Sequence, residues 1–243
     1  MYYSGKSIKE GLNNYLNNLD LKNNIVKGYY MKRTEIKIRQ SIIDAALELD
    51  RKKLNQGKAG NISVRWKEGM LITPTGIAYS KLKPQDIVFV DKHRKYHGKW
   101  KPSSETPFHF DILKHKTEID TVIHTHAPYG TGFSMLGKPV PCFHYMIAFF
   151  GGDSIPCAKF ALPGSQKLSD FAVKALKNHK ACLLANHGII VTGSGIEEAL
   201  FLAEEFEVLC KQITIAKING SPKLVSQKDM KKIIEAVKSY GKQ

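Results

Sequence analysis

The segment AGNISVRWKEGMLITPTG, residues 59–76, constrains the fold more than any other stretch of the chain. Ile62, Val64 and Trp66 alternate with more polar residues, Lys67-Glu68-Gly69 supplies a turn, and Met70–Thr73 returns as a second run. Period-two alternation on either side of a short turn is the pattern of a β-hairpin, and a hairpin forces antiparallel pairing. DIVFV (86–90), followed by a strand near Lys95–Lys99, predicts a second hairpin. After the loop KPSSE, the segment TPFHFDILKHK reads as a helix and DTVIHTH as a strand. PCFHYMIAF, IPCAKF and ACLLANHGIIVTG read as further strands, interrupted by the helix SQKLSDFAVKALKNHK. A long amphipathic helix, IEEALFLAEEFEVLCKQITIAKI, and a short last helix ending at SYG follow. Hairpins outnumber alternating βα units, so the pattern predicts an α/β fold whose sheet is largely antiparallel and flanked by helices.

A chain of 243 residues, 42% hydrophobic, can bury one full core, and no Pro/Gly/Ser-rich linker divides it. MKRTEIKIRQSIIDAALELDRKKLNQG begins at Met31 and places Ile36, Ile42, Ala45, Ala46 and Leu49 on one helical stripe, with Gly57 as a stop signal. The folded domain is therefore expected over residues 31–243. Residues 1–30 form a polar, Asn-rich extension with a short helix around Ile8–Leu21. The N-terminus lacks the apolar stretch of a signal peptide and no run is long enough to span a bilayer, so the expected location is the cytoplasm. Cys142, Cys157, Cys182 and Cys210 form no CxxC pair and read as reduced thiols.

The formal net charge of +15 raises the question of a nucleic-acid or membrane partner. The lysines are dispersed, with local excess in DKHRKYHGKWK (91–101) and in the C-terminal KDMKKIIEAVKSYGKQ. Neither stretch interleaves with aromatics as a stacking platform would. A solvated lysine surface that weakly attracts phosphorylated small molecules is the expectation, with no nucleic acid and no membrane as partner.

DTVIHTHAP ends an apolar run with two histidines one residue apart, and alternate residues of a strand share a face. His124 and His126 are thus half of a candidate metal site. A third nitrogen ligand is expected from far along the chain, and His187, where the apolar strand of LLANHGIIVTG breaks at Asn-His-Gly, is the candidate. Taken alone, it reads more readily as a satisfied structural histidine. His93, His97, His115 and His179 lie in Lys-rich segments expected to be exposed. A carboxylate also suits zinc or a similar ion. Glu105, just after two serines, is the candidate, although an acid at a helix start has an ordinary role with the helix dipole. Gly60-Asn61, Thr75-Gly76 and Ser103-Ser104 are turns rich in small residues, hydroxyls and amide donors, the ingredients of an anion cradle.

In this order and spacing, NQGKAGNISVR, LITPTGIAYSKL, PSSE, HTHA, FHYMIAFFGGDSIPCA and NHGIIV resemble the class II aldolase/adducin superfamily, in particular its fuculose-phosphate type. The likeness runs from about Met31 to Tyr240 and implies an α/β/α sandwich. It implies that His124, His126 and His187 hold one Zn²⁺ per subunit, with Glu105 as a fourth ligand that swings away to shuttle a proton. Gly60, Asn61, Thr75, Gly76, Ser103 and Ser104 match phosphate-binding positions. Tyr145 matches an acid reaching in from a neighbouring subunit and Tyr240 a mobile C-terminal tyrosine, in a homotetramer with sites between subunits.

The implied activity is that of an aldehyde-lyase. It reversibly cleaves a small ketose 1-phosphate to dihydroxyacetone phosphate and a short aldehyde through an enediolate. The chain departs from the type at FALPGS, where Pro163 stands in place of an aromatic residue near the aldehyde end. L-lactaldehyde, glycolaldehyde, acetaldehyde and glyceraldehyde all stay open. A sugar-phosphate 4-epimerase uses a similar metal but has an aspartate after its paired serines where this chain has Glu105. A dehydratase of a methylthioribulose phosphate is a further alternative. A non-catalytic adducin-like interaction module would have no reason to keep the histidines and the glutamate in register.

Overall fold

In the computed structural model, which describes residues 33–237 and 239, the first hairpin forms as its alternation predicts. Strand β1 (Asn61–Trp66) pairs antiparallel with β2 (Gly69–Ile72), and Lys67 takes a left-handed φ of 52° in the turn. Gly69 is required by close approach, because a Cβ there would lie 2.1 Å from the Val90 carbonyl oxygen. That carbonyl belongs to β3 (Val88–Val90), which pairs with β2 and then with the short, exposed edge strand β4 (Tyr96–His97).

On its other side β1 pairs with β5 (Thr121–Thr125), and β10 (Gly188–Gly193) joins β5 to β9 (Ala181–Leu184). β8 (Cys157–Ala158) completes the sheet in the order β4-β3-β2-β1-β5-β10-β9-β8. Among the described residues only the β8–β9 pair is parallel, so the sheet is largely antiparallel as expected. A separate pair joins β6 (Val140–Pro141) to β7 (Ser154–Ile155).

Both faces of the sheet are covered. One face presents Ile62, Val64, Ile123, Ile189 and Val191 to helix α1 (33–51) and helix α5 (Ile196–Asn219). The other presents Met70, Ile72, Val122, Cys182 and Ile190 to α2 (Thr106–His115) and α4 (Gln166–Ala175), which also pack on each other. The result is the expected α/β/α sandwich. A short helix, α3 (Pro128–Ser134), lies against α5, and α6 (Gln227–Val237) packs on residues 145–150. No helix among the described residues is long and apolar enough to cross a membrane.

Several local expectations are corrected. PCFHYMIAF is not a strand beyond β6, because Tyr145–Phe150 winds into a 3-10 helix. The His144 ring accepts from the Met146 amide, and the buried residues are Ile147, Ala148 and Phe150 rather than an alternating set. Helix α1 stops at residue 51, before Gly57, because Lys53 takes the left-handed conformation (φ 58°). Ile36 is exposed, although Ile42, Ala45, Ala46 and Leu49 are buried as the stripe requires. His179 is partly buried rather than exposed. The helix expected at Ile8–Leu21, and Tyr240, lie outside the described residues.

Candidate functional site

Strand β5 lies at the centre of the sheet and carries His124 on the face that α2 covers, where its ring meets Phe108 edge-on. Its Nδ1–H donates to the Ile189 carbonyl oxygen at 2.9 Å, which fixes the tautomer and leaves Nε2 unprotonated. His126, one residue past the strand end, brings its Nε2 to 3.0 Å from that atom. His187 arrives from the tight β9–β10 turn, where Asn186 has a φ of 56°. Ser134, at the end of α3, braces this turn, its carbonyl oxygen accepting from the Asn186 amide and its Oγ from the His187 amide. Gly188 lets the turn close on the site, because a Cβ there would meet Thr125 O at 2.6 Å and the His126 ring at 3.0 Å. One ligand atom from each of the three histidines lies within 4.8 Å of the other two.

Glu105 closes the cluster. It occupies the residue position just before α2, yet its side chain makes no capping hydrogen bond, so the ordinary helix-start role does not describe it. The carboxylate instead turns into the histidines, with Oε2 at 3.2 Å from His124 Nε2 and Oε1 at 3.2 Å from His187 Nε2. The Asn61 amide donates to Oε2 at 2.9 Å, whereas Oε1 is buried without a hydrogen bond. Burial holds all three imidazoles below the usual histidine range: His124 at about 3, His187 at about 4, and His126 lowered. They are therefore neutral at pH 7 and offer lone pairs. Three neutral nitrogens and a carboxylate oxygen left unpaired in a buried cluster are a donor set that fits zinc or a similar divalent ion.

The anion-cradle residues gather through the backbone. Ser103 N donates to Thr73 O, Thr75 N donates to Lys101 O, and a bridge between Pro74 and Pro102 sets the two turns side by side. Gly60 (φ 82°) and Gly76 (φ 71°) take left-handed conformations, and Tyr79 OH donates to Gly60 O at 2.7 Å. Thr75, Gly76 and Ser104 are exposed and Ser103 is buried. The loop carrying Pro163 reaches the same place, for Gly164 sits where a Cβ would meet Ser104 O at 2.7 Å. Asn61 departs from a purely anion-binding role, since its side chain joins the carboxylate. Tyr145 is half exposed beside His144 and makes no hydrogen bond to the cluster among the described residues.

His109, whose Nε2 bonds the Asn61 amide oxygen, and Ser63, whose Oγ lies 2.7 Å from His109 Nδ1, are not among the candidate site residues of the sequence. Their signal was periodicity: His109 follows Glu105 by four on a helix and Ser63 follows Asn61 by two on a strand.

The family model of the Class II Aldolase and Adducin N-terminal domain matches residues 40–214. A 5-methylthioribulose-1-phosphate/5-deoxyribulose-1-phosphate aldolase of Rhodospirillum rubrum is 42% identical over 211 residues, which is 87% of this chain and 96% of that protein. The L-fuculose phosphate aldolase of Escherichia coli K12 is 44% identical over 206 residues, covering 84% of this chain and 96% of the relative. A solved L-fuculose 1-phosphate aldolase superposes with a TM-score of 0.80 at 34% identity, over 83% of this chain and 96% of its own.

Proposed function

The chain belongs to the Class II Aldolase and Adducin N-terminal domain family, on its aldolase branch of metal-dependent lyases, and from that premise we propose that it reversibly cleaves a small ketose 1-phosphate to dihydroxyacetone phosphate and a short aldehyde. The observation that carries this reading is the convergence of His124, His126 and His187 on a buried carboxylate, Glu105, with one oxygen unpaired. In it, the three histidines and Glu105 hold Zn²⁺, one per subunit. The cation supplies Lewis acidity toward the oxygens of the substrate.

The protein's own groups divide the remaining work. The turns at Gly60-Asn61, Thr75-Gly76 and Ser103-Ser104 hold the phosphate with main-chain N–H groups and hydroxyls, fixing the reacting carbons relative to the cluster. As the C3–C4 bond breaks, the C4 hydroxyl gives up its proton and becomes the aldehyde, and the bonding electrons stay on C3. Tyr145, half exposed on its 3-10 turn, takes the C4 hydroxyl proton as a phenolate in the site of a neighbouring subunit and passes it to solvent. Glu105, having gained a proton from solvent, delivers it to C3 through the oxygen that Asn61 leaves free and returns to the carboxylate. The role of Tyr145 requires an oligomer with sites between subunits, which this reading makes a homotetramer. Tyr240 acts from the C-terminal end. The catalytic domain spans residues 31–243 and works in the cytoplasm.

Relatives named for fuculose phosphate and for 5-methylthioribulose and 5-deoxyribulose 1-phosphates differ at the aldehyde end and share the ketose 1-phosphate end. In this reading the phosphate- and metal-binding residues meet the end that these substrates share. Incubating zinc-loaded protein with dihydroxyacetone phosphate and each of a panel of short aldehydes tests the reading. A new ketose 1-phosphate should form with at least one of them. Failure with every aldehyde, from protein of full zinc content, would refute it.

A further inference from the structure

Behind Glu105 lies a line of buried polar groups, of which only Asn61 belongs to the site already described. Ser63 and His109 have none of their surface exposed, and Asn61 has 6%. Ser63 Oγ is 2.7 Å from His109 Nδ1, His109 Nε2 bonds Asn61 Oδ1, and Asn61 Nδ2 donates to Glu105 Oε2 at 2.9 Å. We propose that Ser63 and His109 are positioning residues for the carboxylate: Ser63 sets the tautomer of His109, His109 holds the oxygen of the Asn61 amide, and the amide N–H is thereby aimed at Glu105.

The direction of each bond follows from what each atom can do. Glu105 as a carboxylate only accepts, so the side of Asn61 that faces it is the NH₂. The other side is then the amide oxygen, which also only accepts, so His109 Nε2 carries a proton. Burial keeps the imidazole neutral. Nδ1 is therefore an acceptor, and the Ser63 hydroxyl supplies its donor. A flipped amide would set oxygen against carboxylate and N–H against N–H, losing two bonds in a dry site.

The placement is economical. Asn61 and Ser63 share a face of β1 by strand alternation, while Glu105 and His109 share a face of α2 by helical spacing. With Oε2 held, the unpaired Oε1 keeps a fixed aim. Without His109 the amide can turn over, and the carboxylate loses the restraint on which oxygen faces the histidines.

The catalytic consequence rests on the aldolase reading, whereas the hydrogen-bond order does not, so two measurements separate them. In the zinc-loaded full chain with ¹⁵N-labelled histidine, the resonance assigned to His109 by its loss in His109→Gln should report protonated Nε2 and bare Nδ1. Ser63→Ala should shift it toward a mixture of tautomers. A wild-type His109 protonated on Nδ1 overturns the proposal, whatever the protein catalyses.

For exchange of the C3 proton of dihydroxyacetone phosphate, His109→Leu should lower kcat by about 10–100-fold, with KM within about twofold and zinc content unchanged. His109→Gln, which restores an N–H near the Nε2 position, should recover most of that loss. Ser63→Ala, a milder change, serves where His109→Leu fails to fold and should lower kcat with KM unchanged. Equal kcat in wild type, Ser63→Ala and His109→Leu overturns the positioning role. Inactivity of the zinc-loaded wild type would instead fall on the aldolase reading and leave the tautomer result standing.

Discussion

His124 has none of its surface exposed and Glu105 only 6%, whereas Thr75, Gly76 and Ser104 all face solvent. The buried half of the site is assembled by side chains from β1, β5, α2 and the β9–β10 turn, each held by a hydrogen bond or a glycine that lets the chain come close. The exposed half is assembled by main chain, with two left-handed glycines and backbone bonds between the turns. The contrast follows from what each would bind. An ion such as zinc needs a few nitrogen and oxygen donors at fixed distance, with competing water kept away. A phosphate dianion arrives strongly hydrated and is met by several N–H groups at a mouth it can enter.

Changes in the buried half should therefore cost chemistry and changes in the exposed half should cost binding. The largest effect is expected from His126→Ala, which should remove most of the metal and lower activity by roughly a thousandfold. Zinc analysis of the purified variant checks it, and a zinc-free variant of full activity would break the comparison. Glu105→Gln keeps the shape and the metal-facing position but cannot accept a proton. C3 exchange should fall by about a hundredfold while zinc content holds. Survival of most of the turnover would reduce Glu105 to a ligand.

Gly76→Ala probes the other half. A Cβ at Gly76 meets no atom within 4 Å, so its cost is backbone strain at a φ of 71°, about 1–2 kcal/mol. The expected outcome is a KM for dihydroxyacetone phosphate raised by about tenfold with kcat nearly constant. A fall in kcat alone would mean that the cradle takes part in the chemistry.

The gentlest probe is pH on the metal-free protein. Burial holds His124 at about 3 and His187 at about 4, and depresses His109 well below its ordinary value. In the unfolded chain these groups titrate near 6.5. Between these limits the unfolded state binds protons that the folded state refuses. Stability is thus complete above about pH 6.5 and falls as pH drops toward 4. Denaturant melts across that window should show this loss, and added zinc should reduce it. A flat profile would contradict the neutral, buried cluster.

The parts legible in the sequence were those governed by local pattern or by spacing along one element. The β1–β2 hairpin was set by alternation, and the two histidines of HTH by strand parity. The motif order then supplied His187 and Glu105. What escaped were features decided by neighbours. Tyr145–Phe150 has the composition of a strand, yet a side-chain cap at His144 and burial of consecutive residues wind it into a 3-10 helix. His109 looked like one more helical residue in TPFHF, and only the docking of α2 on β1 sets its ring between Ser63 and Asn61. Lys53 ended a helix that Gly57 was expected to end, because a non-glycine residue can take the left-handed conformation where the next turn holds it.

The most direct test of the central claim needs no knowledge of the aldehyde. Zinc-loaded protein would be incubated with dihydroxyacetone phosphate in D₂O and the C3 protons followed by NMR, with and without a strong chelator. The account predicts loss of one C3 proton that the chelator abolishes. No exchange from metal-loaded protein, or exchange indifferent to the chelator, would contradict it.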